Sequence, residues 1–234
     1  MTAPATPPPV PDVVVRIAAG RPVRAVWVNE LGGVTFRVGD RDAREFVKVS
    51  SADLSAEAER LRWAGRYRPV PPVLGVGDGW LHTAGLPGVS AVHPRWLARP
   101  RQAVRALGAG LRALHDGLPV DDCPFDWSVP ARLAQLAPPR RAGLEDPPPI
   151  QQLVVCHGDA CAPNTLLDED GRCCGHVDLG ELGVADRWAD LAVATLSLGW
   201  NYPGQWQDDF FTAYGVEPDP VRIGYYRRLW NAGD

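Results

Sequence analysis

The chain opens with short β-branched and apolar runs separated by turn residues. The runs fall at 13–17, 24–28, 34–38 and 45–49, with Gly32-Gly33 and Gly39-Asp40 between the later ones. This alternation predicts an antiparallel meander of four strands. Residues 51–66 change period: Leu54, Ala58, Leu61 and Ala64 or Gly65 recur at helical spacing, with Ser51 or Asp53 as N-cap. Two further strands are expected near 73–76 and 80–83, joined by the turn Gly77-Asp78-Gly79. Residues 84–88 form a tight connector, after which the pattern turns helical.

Residues 101–114 carry Val104, Leu107, Leu111 and Leu114 on one helical face. A Pro-rich stretch at 138–149 separates this helix from a second strand cluster at 153–178. Three helical patterns close the chain, at 187–198, at 204–214 before Gly215, and at 221–229 after Asp219-Pro220. No internal repeat is present. The layout predicts a disordered Pro-rich tail at 1–11, a small β-rich lobe at 12–84 and a larger, mainly helical lobe at 85–234.

Composition narrows the function. The 234 residues are 45% apolar and 22% charged, which is globular rather than disordered. With 24 Lys+Arg against 28 Asp+Glu the net charge is −4, so a nucleic-acid binder is not expected. No apolar run approaches the ~20 residues of a membrane span, and the first residues lack an apolar signal core, so the expected location is the cytoplasm. The five cysteines are an odd number, and no disulfide framework is expected. Cys156, Cys161, Cys173 and Cys174 cluster without a paired C-x-x-C spacing and read as buried thiols rather than a zinc site.

Residues 153–190 carry the candidate chemistry. A buried-strand run leads into His157-Gly158-Asp159, and Asn164 follows five residues later. A hairpin turning at 168–171 returns to Asp178, bringing it near Asn164 and Asp159. An Asp carboxylate and an Asn amide oxygen are hard ligands suited to Mg²⁺. A further carboxylate, not bound to metal, can orient a hydroxyl and accept its proton. The series Asp159…Asn164…Asp178-Leu179-Gly180 is the part list for phosphoryl transfer. In the first lobe Lys48 is the one lysine of the chain, set among Phe46, Val47 and Val49, where its ammonium requires an anion. A nucleotide phosphate and Glu57 are natural partners, and the planar fork of arginine would serve less well. His157 reads as an orienter of its loop, His115 as a helix-end or packing residue, and Asp186 and Asp190 as braces of the following helix. Most of the nine tryptophans read as core. Trp200, Trp206 and Trp230 have the alternative of flooring an acceptor cleft.

The stretches 157–164 and 177–187 resemble the signature of the aminoglycoside phosphotransferases, in particular the 3'-phosphotransferase group and the neighbouring streptomycin kinases. The similarity extends over nearly the whole chain, including 46–49, 56–65, 111–125 and 225–230. It implies an α+β, protein-kinase-like fold of two lobes. It also implies ATP and Mg²⁺ as cofactors, Asp159 as catalytic base, and Asn164 and Asp178 as metal ligands. Lys48 would hold the nucleotide phosphates with Glu57 as partner, Glu59 fitting less well. Backbone groups from Thr83 to Leu86 would meet adenine, and Gly32-Gly33 would stand in the turn where a fuller glycine motif is expected.

The resemblance also implies γ-phosphate transfer to a hydroxyl of an aminoglycoside, as antibiotic resistance or self-protection. A polycationic acceptor would look for contacts at Glu181, Glu145, Asp146, Trp230 and Asp234, with Asp121, Asp122 and Asp126 as further acidic candidates. The chain departs from the family at four places. It lacks the full glycine motif, it has Glu181 where arginine is common, its 124–155 segment is short, and its last residues carry Trp230-Asn231 where acidic residues are usual. Two alternatives stay open: a kinase of another small hydroxylated metabolite, and a nucleotide-binding pseudokinase. The presence of every catalytic polar residue weighs against the latter. The sequence sets no oligomeric state.

Overall fold

The computed structural model describes residues 8–28, 32–40, 44–144 and 146–233. The chain divides into two compact units, Met1–Leu86 and Pro87–Asp234.

The first unit contains α1 (Asp12–Ala18), β1 (Val23–Val28), β2 (Val34–Val38), β3 (Glu45–Val49), α2 (Ser55–Ala64), β4 (Val73–Gly77) and β5 (Trp80–Ala84). The strands form one antiparallel sheet in the order β1-β2-β3-β5-β4. The meander of 24–49 is as expected, but its expected first strand is helix α1. The β-branched propensity of Val13-Val14-Val15 is weak, and burial overrides it. As a helix, the segment stacks Val14 and Ala18 on one face, against Phe36, Val38 and Val47 of the sheet. Pro11 enters in extended conformation, and Ala19 in the left-handed region stops the helix. The expected tail lies outside the described residues over 1–7, and its remainder leads directly into α1.

Helix α2 starts at Ser55, later than either expected cap, although Asp53 still performs a capping task. Its carboxylate accepts the Ser55 N–H at 2.9 Å and the Ser55 hydroxyl at 2.8 Å. Leu54, Ala58, Leu61 and Ala64 are buried as the period predicted, and Glu57 is buried beside them. At the β4–β5 turn, a Cβ on Gly77 would lie 2.4 Å from the Trp80 indole nitrogen, so only glycine lets that ring fold over the strand.

The second unit begins with β6 (Val89–Ser90), α3 (Pro94–Leu97), α4 (Pro100–Gly117), α5 (Val129–Gln135) and α6 (Pro138–Arg141). It continues with β7 (Leu153–Cys156), a 3-10 turn (Ala162–Asn164), β8 (Thr165–Leu167), β9 (Cys173–His176) and β10 (Gly183–Asp186). Helices α7 (Trp188–Asn201), α8 (Gln207–Tyr214) and α9 (Pro220–Asn231) complete it. Strands β6, β8 and β9 form one small sheet, and β7 pairs with β10 in another. The amphipathic stripe of α4 is buried and packs on α8. Helix α7 is buried on nearly every side and packs on α9. Strand β10 was not anticipated: four residues with one partner strand leave no alternation long enough to read. Inside the Pro-rich stretch, α6 forms because proline is preset for the first helical turn. Among the described residues no helix is long and apolar enough to cross a membrane.

Candidate active site

In the first unit, Lys48 lies on a central strand, opposite Thr35 of β2 and Leu81 of β5. Its ammonium is 2.7 Å from Glu57 Oε2, on the inward face of α2. The Glu57 side chain is 9% exposed and that of Lys48 25%, so the carboxylate is the more withdrawn from water of the two. Glu59, the weaker expected partner, is exposed. Gly32, with φ 82°, makes the β1–β2 turn, and Gly33 beside it is buried. Thr83 is buried on β5 opposite Phe46. Past it, the Gly85 N–H donates to the Arg44 carbonyl, and the Arg44 guanidinium donates to the Leu86 carbonyl.

In the second unit, β7 ends at Cys156 and the chain turns through His157-Gly158-Asp159. Both amide hydrogens of Asn164 are taken by Asp159, one by its carbonyl and one by carboxylate Oδ2, each at 3.0 Å. That leaves the Asn164 amide oxygen as its ligand atom. Asp159 Oδ1 is buried and accepts no hydrogen bond among the described residues. An orphaned buried carboxylate oxygen is costly in a folded protein unless a partner reaches it. The Asn164 carbonyl accepts the Val177 N–H at 2.9 Å, which holds the start of Asp178 against the loop. Asp178 is exposed and has φ 63°, a left-handed conformation uncommon outside glycine. The amide oxygen of Asn164 and the carboxylate of Asp178 are both of the hard-ligand type that Mg²⁺ takes.

The loop is oriented from below. The His157 ring accepts the Asp159 N–H at Nδ1 (3.3 Å), so Nε2 carries the proton and donates to the Val177 carbonyl at 3.0 Å. His157 is an orienter, as expected. Asp190 has a larger task than bracing its own helix. One of its oxygens accepts the His157 N–H at 2.6 Å and the other the Gly158 N–H at 2.9 Å. His115 Nε2 donates to the same carboxylate at 2.9 Å, and its Nδ1 is 2.8 Å from the Tyr214 hydroxyl. Burial alone would raise the Asp190 pKa, but the hydrogen bond of His115, with the backbone N–H of His157, holds it below the ordinary carboxylate value. Burial pushes the Tyr214 phenol up, which keeps it a neutral hydroxyl. His115 lies buried in the last turn of α4, as expected for a helix-end or packing residue, and is in addition a member of this network. The signal for Asp190 was its position in an otherwise apolar helix, where an unpartnered carboxylate could not be buried. On the loop's other flank, the Ser197 hydroxyl accepts the Ala162 N–H at 2.9 Å. Gly158 has φ 84°, and a Cβ there would lie 2.1 Å from the Glu181 carbonyl oxygen.

Glu181 is exposed and ion-paired with Arg132 at 2.6 Å, which offsets its charge. Asp146 is exposed, Asp126 accepts the Ser128 N–H at the start of α5, and Trp230 lies beside Trp200. Glu145 and Asp234 lie outside the described residues. None of the five cysteines is in a disulfide. Cys156 joins His115 and Asp190 in a buried group whose ligand atoms lie within 4.8 Å of one another. Burial, and then the Asp190 charge, raise its thiol pKa well above the ordinary value, which opposes the thiolate that a metal would require.

A lysine–glutamate pair on a sheet-and-helix unit, followed by a helical unit whose loop carries Asp159, Asn164 and Asp178, defines a protein-kinase-like phosphotransferase of the two-lobed α+β class. The phosphotransferase enzyme family matches residues 14–226. An aminoglycoside 3'-phosphotransferase of Streptomyces fradiae is 37% identical over 217 residues, covering 77% of this chain and 80% of that protein. The crystal structure of a type VIII aminoglycoside 3'-phosphotransferase superposes with a TM-score of 0.75 at 29% identity, covering 92% of this chain and 94% of that one. An aminoglycoside phosphotransferase of Streptomyces rimosus, solved with ADP and streptomycin, superposes with a TM-score of 0.67 at 26% identity, covering 88% and 94%. The chain belongs to this phosphotransferase family, that of the aminoglycoside phosphotransferases.

Proposed function

We propose that this protein moves the γ-phosphate of ATP to a hydroxyl of an aminoglycoside, in the cytoplasm, as resistance or self-protection. The observation that carries the reading is Asp159, with one carboxylate oxygen tied to Asn164 and the other buried and unpartnered. The acceptor hydroxyl would donate to Oδ1 and lose its proton there as its oxygen attacks phosphorus. Nucleotide binding falls to residues 12–84 and acceptor binding to 85–234. Lys48, held by Glu57, would neutralise the α/β-phosphates, and backbone between Thr83 and Leu86 would meet adenine, with Gly32-Gly33 over the phosphates. Asn164 and Asp178 would hold Mg²⁺, which supplies charge neutralisation on the phosphate oxygens. The relatives' names and the complex of one neighbour with ADP and streptomycin support the choice of nucleotide and acceptor.

ADP release with Mg·ATP and kanamycin, neomycin, streptomycin or no acceptor tests the proposal, with Asp159→Ala in parallel. Turnover on one antibiotic, lost in the variant, is the expected result. ATP binding without turnover on any acceptor would favour the pseudokinase, and turnover on a different small alcohol would move the substrate.

A further inference from the structure

Of the nine tryptophans, Trp200 alone is exposed, at 58% of its surface. Its ring lies 6.0 Å from that of the half-buried Trp230, inclined by 42°, so the two indoles share one spot of the second unit. The spot borders the loop that carries Asp159. Ser197, one turn before Trp200 on α7, accepts the Ala162 N–H, and Asn201, the next residue after Trp200, donates its amide to both the carbonyl and the hydroxyl of Ser197. The α7 end and the catalytic loop are therefore one hydrogen-bonded piece.

Both indoles also share a position on their helices. Trp200 is the penultimate residue of α7 and Trp230 the penultimate residue of α9. The negative ends of two helix dipoles consequently meet at the pair, and such a field favours a cation over a neutral or anionic group. An ammonium over an indole face is attracted by the ring quadrupole as well. Arg227 is turned away, to the Ala192 carbonyl and the Thr195 hydroxyl on α7, and Arg140 donates to the Ala232 carbonyl at the α9 end.

We infer that Trp200 and Trp230 form an aromatic platform that holds a protonated amine of the acceptor and so aims a neighbouring hydroxyl towards Asp159. The inference rests on the phosphotransferase reading and adds how the acceptor is held. The ligand class is an amine-bearing alcohol, either an aminosugar or a small quaternary amino alcohol.

Steady-state kinetics and titration calorimetry with kanamycin, choline and glucose as probes, on the full chain with Mg·ATP, test this. Trp200→Ala and Trp230→Ala should each raise KM and Kd for the amine-bearing acceptor about tenfold, as expected for loss of a cation–π contact at a partly open site. Trp200→Phe and Trp230→Phe, which keep an aromatic face, should recover most of the loss. Tyr67→Ala, an exposed aromatic of the other unit, should match wild type. Where Trp230→Ala fails to fold, Trp200→Ala decides, since its ring is largely in water already. Choline turnover without kanamycin turnover, with the same tenfold losses, would sink the aminoglycoside reading and keep the platform. Unchanged affinity in both alanine variants, or preference for neutral glucose over either amine, would overturn the platform.

Discussion

The two units hold their candidate residues by different means. In the N-terminal unit, Lys48 and Glu57 are nine residues apart and meet in a 2.7 Å ion pair, with the lysine left partly open. In the C-terminal unit, Asp159 is tied to Asn164, its backbone to His157, the backbone of His157 and Gly158 to Asp190, and Asp190 to His115 and Tyr214. The difference suits the tasks proposed for them. A point charge that meets a diffuse, multiply charged phosphate tolerates some freedom of its stem. A base that accepts a proton at one oxygen needs every other atom around it fixed.

That contrast can be broken from the buried side first. Asp190→Ala removes the acceptor of two backbone N–H groups and leaves His115 without its partner. The expected loss is about 3–5 kcal/mol of stability in a urea titration, with kcat falling and ATP affinity kept in whatever fraction stays folded. The pH dependence has a defined sign. Asp190 is held below its ordinary value of 3.8, so its ionised form stabilises the fold above that pH, and the benefit is lost as pH falls below it. The stability gap between wild type and Asp190→Asn should therefore narrow below about pH 4 and stay constant at neutral pH. A gap that widened on acidification would contradict the network.

At the metal end, Asp178→Asn retains shape but removes a charge. Roughly 10²–10³-fold should be lost from kcat, with more Mg²⁺ needed for half-saturation in ADP-release assays. The smallest effect belongs to the open half. Lys48→Arg preserves the charge but lengthens and flattens it, and should raise the KM for ATP about tenfold while thermal stability changes little. If Lys48→Arg cost as much stability as Asp190→Ala, the two halves would not differ in the way described.

Legibility followed distance along the chain. The Asp159–Asn164 spacing, the return of Asp178 through a hairpin and the Lys48–Glu57 pair are local or nearly so, and residue type with spacing was enough to find them. The His115–Asp190 and His115–Tyr214 bonds span 75 and 99 residues. Separations of that length have no period, so His115 read as a packing residue. Helix α1 was missed for another reason: its β-branched residues favour a strand when isolated, and only the sheet it covers decides otherwise. Of the expected acceptor residues, Glu181 is paired with Arg132, a contact between α5 and a loop that no local pattern could have shown.

The most direct measurement is kcat for Asp159→Asn with the preferred acceptor, beside ATP affinity and melting temperature. Asparagine keeps the size of the side chain and an oxygen for Asn164, yet cannot take a proton. If Asp159 Oδ1 is the base, kcat falls about 10²–10⁴-fold while ATP affinity and melting temperature stay at wild-type values. If kcat stays within threefold of wild type, the proton goes elsewhere and the role assigned to the orphaned oxygen is wrong.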